Sequence, residues 1–407
     1  MRWSLLRISL QGLWGQGRIC QGKWRIKMEN YDAVIIGAGI AGAGLAYHLS
    51  RRCPEKSVLI IDRAGIGASA AYEVRNTYKR IVDEYDLGYI KRFKGMKIGT
   101  NDETFFTVEH DLYNIDYAET CRHLIKKSRA CFMRDNADDV KDGILHTSNG
   151  RFRFGHLIDC SGSSFFLKRI MRQPKPFLNW VALAGAFPRA PPDIDRDYIY
   201  FQFGEEGFFE DLYPLHNRTL CGYWQYTRKI DHTLIRPTKK TLLRKYFPGQ
   251  EKRLAEKAVI TNAPVFPIVK KNFAFLGDSF GNSFPSSAEG IRPILDSARL
   301  LAESIRNNNL QAYQEEWKRR YMGLYMGYLV SRIDRYNNPP LLRLLKKRYP
   351  KNIEGLRNCT PDFFMKIMRN ERINMKDIKI KFPKYRLFFL LCHYISLKLR
   401  YSAMKFA

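Results

Sequence analysis

None of the eight cysteines in this 407-residue chain forms a Cys-x-x-Cys pair. Cys20, Cys53, Cys121, Cys131, Cys160, Cys221, Cys359 and Cys392 have no zinc or cluster spacing, so a metal centre is not expected and reduced, buried thiols are. The eight histidines are equally scattered and build no Ser-His-Asp set. Acidic residues are few, 40 Asp and Glu against 69 Lys and Arg, for a net charge of +29. The excess lies at the ends. Met1–Lys27 has six basic residues and no acid, and Leu341–Ala407 has seventeen against four. No nucleic-acid motif accompanies that charge, so a nucleic-acid partner is not expected. The apolar residues of Met1–Lys27 are scattered among glycines, without the continuous core of a secretory signal. It is read as a basic leader outside the fold, with Met28 leading into the first strand.

What is present is a strand–turn–helix signature. Asp32 to Ile36 is a short apolar run of the kind that forms a buried parallel strand. Gly37-Ala38-Gly39-Ile40-Ala41-Gly42 follows as Gly-x-Gly-x-x-Gly. Its glycines permit a tight turn, close backbone approach to a pyrophosphate, and close packing of helix on strand. The small-residue run through Ala46 starts a helix whose first N–H groups favour an anion. A second apolar run, Val58 to Ile61, ends at Asp62, a carboxylate placed to accept hydrogen bonds from adenosine ribose hydroxyls.

A distant segment decides between nicotinamide and flavin. Phe273 to Leu276 reads as another buried strand, with Gly277 and Asp278 at its tip. A loop then reaches Gly290, and Ile291 to about Arg306 has Ile294, Leu295, Ala298, Leu301, Ala302 and Ile305 at helical spacing. A chain that returns to its nucleotide unit with a helix N-terminus suits a long cofactor with a reducible ring, which is FAD.

The segment Gly277-Asp278-Ser279-Phe280-Gly281, through Pro285 to Glu289-Gly290-Ile291, resembles the flavin loop of the geranylgeranyl reductase family, digeranylgeranylglycerophospholipid reductases included. Asp159-Cys160-Ser161-Gly162-Ser163-Ser164, followed by Arg169, is similar to the segment that closes the dinucleotide domain in that group and in flavin monooxygenases and halogenases. The resemblance spans residues 30 to 310. It implies FAD-dependent reduction of isolated double bonds in geranylgeranyl chains. By position it implies cofactor contacts from Gly37, Ala38, Gly39, Ala41, Gly42, Asp62, Gly162, Gly277, Asp278, Gly290 and Ile291, with Ala137 beside the adenine.

Three departures bear on the substrate. The family's Cys-Gly-Glu becomes Ala71-Tyr72-Glu73, the arginine that commonly precedes the third helix is missing from Leu112–Glu119, and Phe208–Pro214 stands where an aromatic substrate motif is usual. No catalytic residue is named; Glu289 and Tyr213 are the candidates for an acid. A flavin monooxygenase, a lycopene-cyclase-like enzyme and a flavoprotein without turnover stay open, while the halogenase Trp-x-Trp-x-Ile stretch is absent. With no second Gly-x-Gly-x-x-Gly, electrons are expected from an external donor: a ferredoxin, free reduced flavin or a transiently bound NAD(P)H.

The expected architecture is α/β. Residues 28–165 and the return segment 266–310 form a Rossmann-like FAD-binding domain, with a substrate-domain insertion near 90–115. Residues 166–265 form an antiparallel β-sheet domain facing an isoprenoid or lipid substrate, and 311–407 a basic helical extension. Aromatics crowd the middle: Trp180, Phe208, Phe209, Tyr213, Tyr223, Trp224 and Tyr226. Apolar Leu387–Leu397 is too short to span a bilayer and is flanked by Lys384, Arg386, Lys398 and Arg400. That pattern suits a helix lying in an anionic membrane surface, hence a cytoplasmic enzyme peripheral to the membrane.

Overall fold

The structure, a computed structural model, describes residues 28–68, 74–100, 103–176, 178–203, 208–227, 229–235, 241–284, 287–325, 365–366 and 371. The basic leader, Ala71–Glu73, Pro285 and Leu387–Leu397 lie outside them.

The strands divide between two sheets of eight. The first contains β1 (Glu29–Ile36), β2 (Val58–Ile61), β6 (Cys131–Met133), β7 (Ala137–Lys141), β8 (Ile144–Thr147), β9 (Arg151–Asp159), β15 (Val269–Lys270) and β16 (Phe273–Phe275). Strands β16, β9, β1, β2 and β6 run parallel, and the β7–β8 hairpin hangs from β9. The apolar runs are there because both faces are covered. Ile35, Leu59, Ile60, Leu157 and Ile158 are fully buried. Register puts Ile36 opposite Asp159, and Asp159 opposite Phe275. The turns after β1, β9 and β16 therefore emerge together at one edge of the sheet, on the carboxyl side where open α/β sheets bind ligands.

The second sheet takes β3 (Val74–Tyr78), β4 (Lys91–Thr100) and β5 (Glu103–Asp116), then β10 (Leu178–Phe187), β11 (Tyr198–Phe203), β12 (Phe208–Pro214), β13 (Thr219–Thr227) and β14 (Glu256–Asn262). It is antiparallel except where β11 runs parallel to β4, which joins the two groups of strands. Strand alternation sorts the aromatics. Trp180, Phe209, Trp224 and Tyr226 join the core shared with the nucleotide-binding half. Phe208, Tyr223 and Tyr200 pack on the opposite face with the short helix α5 (Leu242–Tyr246).

The main helices are α1 (Ile40–Arg52), α2 (Lys79–Tyr85), α3 (Tyr117–Lys126), α4 (Phe166–Ile170), α6 (Ile291–Arg306) and α7 (Leu310–Trp317). The small residues of α1 let α6 approach closely: a Cβ on Gly44 would lie 2.5 Å from Leu295 Cδ2. After α7 a π-helical turn, Lys318–Met322, carries the chain on. This segment docks on the nucleotide-binding half, because Trp317 and Tyr325 are fully buried and the Tyr313 hydroxyl donates to Phe275 O at 3.2 Å. Cys53, Cys121, Cys160 and Cys221 are buried free thiols, as expected, but Cys131 is disulfide-bonded. Among the described residues no helix is long and apolar enough to cross a membrane.

Candidate functional site

The edge where β1, β9 and β16 end is built from backbone. Gly37 turns the chain at φ +107°, a conformation that disfavours a side chain, and a Cβ there would stand 2.3 Å from Cys160 O. Gly42 packs the first turn of α1 so tightly on that turn that a Cβ would meet Gly37 O at 1.9 Å. Cys160 N–H donates to Ile36 O at 2.8 Å, and Leu276 N–H to Asp159 O at 3.0 Å, so the three turns are tied together. Gly277, at φ +76°, leaves room for the Ala41 methyl, 2.9 Å from where its own Cβ would be. Gly162 opens a short 3-10 turn packed on Gly277–Ser279, with open space on its Cα. Gly37, Ala38, Gly39, Ala41, Gly42, Gly162, Gly277 and Asp278 thus line one seam.

Asp62 sits at one end of it. Its Oδ2 accepts from Ala38 N–H at 2.8 Å, and its Oδ1 from Ala64 N–H at 2.8 Å and Gly65 N–H at 3.0 Å. The carboxylate thus ties the turn after β1 to the turn after β2 through three backbone N–H groups. Asp135 N–H donates to Asp62 O at 3.2 Å, and Ala137 begins β7 two residues later, at the same end of the seam.

At the other end stands the loop to α6. Burial raises the Asp278 carboxyl to about 6, against the Ser283 hydroxyl that donates to it at 2.8 Å and the positive charge of Arg75. Gly290 precedes α6 without a side-chain cap and packs on Ser283, and Ile291 is buried. Glu289 is committed elsewhere. It accepts from Arg292 at 3.0 and 2.9 Å in a bidentate pair, and Arg292 lies over the Phe284 ring at 5.3 Å. Burial raises the Glu289 carboxyl and Arg292 opposes the rise. A carboxylate held in that way is a structural clamp for the loop, not a free acid.

Above this end stands the aromatic face of the second sheet. Phe209 and Trp224 stack with ring planes 2° apart, and Trp180 meets Phe209 at 4.9 Å and Tyr226 at 4.6 Å. One polar group breaks it. Buried Asp211 accepts from Tyr213 hydroxyl at 2.8 Å and Trp224 Nε1 at 2.9 Å through the same oxygen. Burial and the Asp211 charge push the Tyr213 phenol well up, so it carries its proton.

Sequence reasoning missed Arg75 and Tyr117. Arg75, on β3, lies 5.4 Å over the Tyr117 ring, and its charge reaches both Asp278 and Tyr213. It stands where the fingerprint helix, the return loop and the aromatic sheet converge. Nothing in the local pattern around Val74-Arg75-Asn76 marks it, because its place follows from the pairing of β3 with β5.

Comparison with known proteins fits this geometry. The family described as FAD dependent oxidoreductase matches residues 32–77, which hold the fingerprint turn and Asp62. A 67-residue stretch, 16% of the chain, is 52% identical to the FAD-containing monooxygenase EthA of Mycolicibacterium smegmatis, and spans 13% of that protein. Solved structures share the fold at low identity. The flavin-dependent brominase Bmp2 superposes with a TM-score of 0.62 at 13% identity, covering 91% of this chain and 99% of that one. A geranylgeranyl bacteriochlorophyll reductase-like protein from Thermoplasma acidophilum gives 0.61 at 16%, covering 93% and 100%. PqsL, a probable FAD-dependent monooxygenase from Pseudomonas aeruginosa, gives 0.54 at 15%, covering 74% and 94%. The glycine cradle at Gly37, Gly42 and Gly277 fits a pyrophosphate laid against backbone. Residues 32–77 are thus similar to the nucleotide-binding segment of FAD-dependent oxidoreductases, and FAD is the cofactor these matches support.

Proposed function

We propose that the chain is an FAD-dependent reductase acting on carbon–carbon double bonds of an isoprenoid or other prenyl chain. The observation that carries this reading is the continuous aromatic face of Trp180, Phe209, Trp224 and Tyr226 in one core with the seam. Such a wall suits an apolar, flexible substrate that must exclude water while it reacts.

When bound, FAD supplies the hydride. The residues of this chain supply place and proton. The glycines at 37, 39, 42 and 277 would admit the pyrophosphate, Asp62 would accept from the ribose, and Gly290 with Ile291 would hold the ring end at the head of α6, where the helix dipole favours negative charge. The Tyr213 hydroxyl, held by Asp211, is the proton source nearest the aromatic wall. Electrons come from an external donor, a ferredoxin, reduced flavin or NAD(P)H. The basic C-terminal segment docks the enzyme on a membrane that holds the substrate.

A second reading, a flavin monooxygenase on a polar aromatic substrate, is supported by the monooxygenase-like stretch and by the Asp211–Tyr213–Trp224 group, which sets hydrogen-bonding atoms among the aromatic rings. One experiment separates the two. The full chain is reduced anaerobically and mixed with geranylgeranyl lipid. Flavin reoxidation with hydrogen mass gained by the lipid is the expected result. Flavin that stays reduced with lipid, and reoxidises with oxygen and an aromatic substrate, overturns the reductase reading.

A further inference from the structure

The head of α1 lacks what a helix N-terminus ordinarily has. Gly39 has no side chain to cap it, and the first turn contains no acidic residue. Ala38 N–H is taken by Asp62 and Ile40 N–H by the Tyr117 hydroxyl, at 2.8 and 3.1 Å. Tyr117 comes from a distant part of the chain and is placed firmly. It opens α3, whose first turn is capped by Asp116 through Glu119 N–H at 2.7 Å. The Thr120 hydroxyl donates to Asp116 O at 2.7 Å. Gly39 makes room for it, since a Cβ there would stand 3.0 Å from the phenolic oxygen.

A phenol that accepts a backbone N–H still has its own proton; here it lies against the Cys121 thiol, a weak acceptor that an anionic oxygen outcompetes. Burial raises the Tyr117 hydroxyl, so at neutral pH that proton is present. The Arg75 guanidinium over the ring adds positive charge behind it. An uncapped helix head, a phenolic donor fixed on its second residue and a cation stacked on that phenol together make a seat for an anion.

Resting on the FAD reading above, we propose that Tyr117 donates its hydroxyl proton to the cofactor pyrophosphate at the head of α1, with Arg75 positioning and polarising it. Asp62, by this assignment, serves the turn and the ribose, while Tyr117 serves the phosphates.

The test uses the full chain stripped of flavin and titrated with FAD, ADP and riboflavin. Tyr117→Phe is expected to weaken FAD and ADP by roughly ten- to a hundredfold, as for one hydrogen bond to a charged group, and to leave riboflavin unchanged. Arg75→Met is expected to shift the same two ligands in the same direction. Unchanged FAD and ADP affinity in Tyr117→Phe overturns the proposal, as does equal weakening of all three ligands, which marks a purely structural tyrosine. Wild-type chain that binds neither FAD nor ADP overturns the FAD reading itself, and this proposal with it.

Discussion

Gly277 and Ala41 touch across the seam: a Cβ on Gly277 would lie 2.9 Å from the Ala41 Cβ, and Gly277 itself is held at φ +76°. The contact brings the return loop onto the first turn of the fingerprint helix, so the two halves of the cofactor site depend on one missing methyl. Gly277→Ala introduces both a left-handed alanine and an overlap with Ala41. A cost of about 1–3 kcal/mol is expected from the backbone alone. Thermal unfolding of the purified variant should begin several degrees lower, and flavin should be lost on gel filtration. A variant as stable as wild type, with flavin retained, would show that the loop shifts freely against α1.

The seam was legible because its parts are local. Gly37, Gly39 and Gly42 sit at fixed spacing between a buried strand and a helix, and α6 runs over the residues its periodicity marks, Ile291–Arg306. Strand alternation sorts the aromatics, sending Trp224 to the shared core and Tyr223 to the opposite face. What escaped was non-local. The parallel pairing of β11 with β4 brings β3 and Arg75 beside the site, and no short window of sequence carries that pairing. Tyr117 escaped for the same reason, since its hydroxyl meets Ile40 N–H across 77 residues of chain and nothing local in Leu112–Glu119 marks it.

Glu289 and Arg292 make a second test. The pair stands at the start of α6, where a cation alone is unfavourable. Glu289→Gln leaves Arg292 mostly buried without its carboxylate, and a loss of about 2–4 kcal/mol is expected, below the full cost of breaking a fully buried pair because both groups keep some solvent contact. Denaturant unfolding should show it. The double variant Glu289→Gln with Arg292→Met should recover much of that loss. Since Glu289 is a clamp, the pH profile of turnover should keep its shape in the single variant. A displaced or missing alkaline limb would make Glu289 the proton donor after all.

Glu210 predicts how stability varies with pH. It lies fully buried on β12, accepting from Leu242 and Leu243 N–H at 2.7 Å each at the head of α5. Burial raises its carboxyl from 4.5 to about 7, against those two hydrogen bonds. An acid raised in the folded state binds its proton more tightly there than in the unfolded chain. Its contribution is therefore full below about 4.5 and is lost as pH rises through 7. The loss between those limits is on the order of 3 kcal/mol. Glu210→Gln should flatten the slope of unfolding free energy over that window. A slope unchanged by the substitution would assign the titration to another group.

Tyr213 carries the chemistry proposed for the site. Its hydroxyl donates to the Asp211 oxygen that also accepts from Trp224, and all three belong to the second sheet. The arrangement fixes the phenol, and a proton taken from solvent and relayed through Asp211 would restore it after it gives one up. Tyr213→Phe removes one oxygen and leaves the ring that packs against Phe201 at 6.4 Å, so the fold and FAD affinity should stay within about twofold of wild type. Transfer to a geranylgeranyl lipid should slow by roughly a hundredfold, the usual weight of a positioned general acid. Single-turnover flavin reoxidation in deuterated water is the measurement. A solvent isotope effect present in wild type and lost in the variant supports proton donation by Tyr213. A variant that turns over at the wild-type rate would leave the aromatic wall as a binding surface and send the search for the acid to another residue.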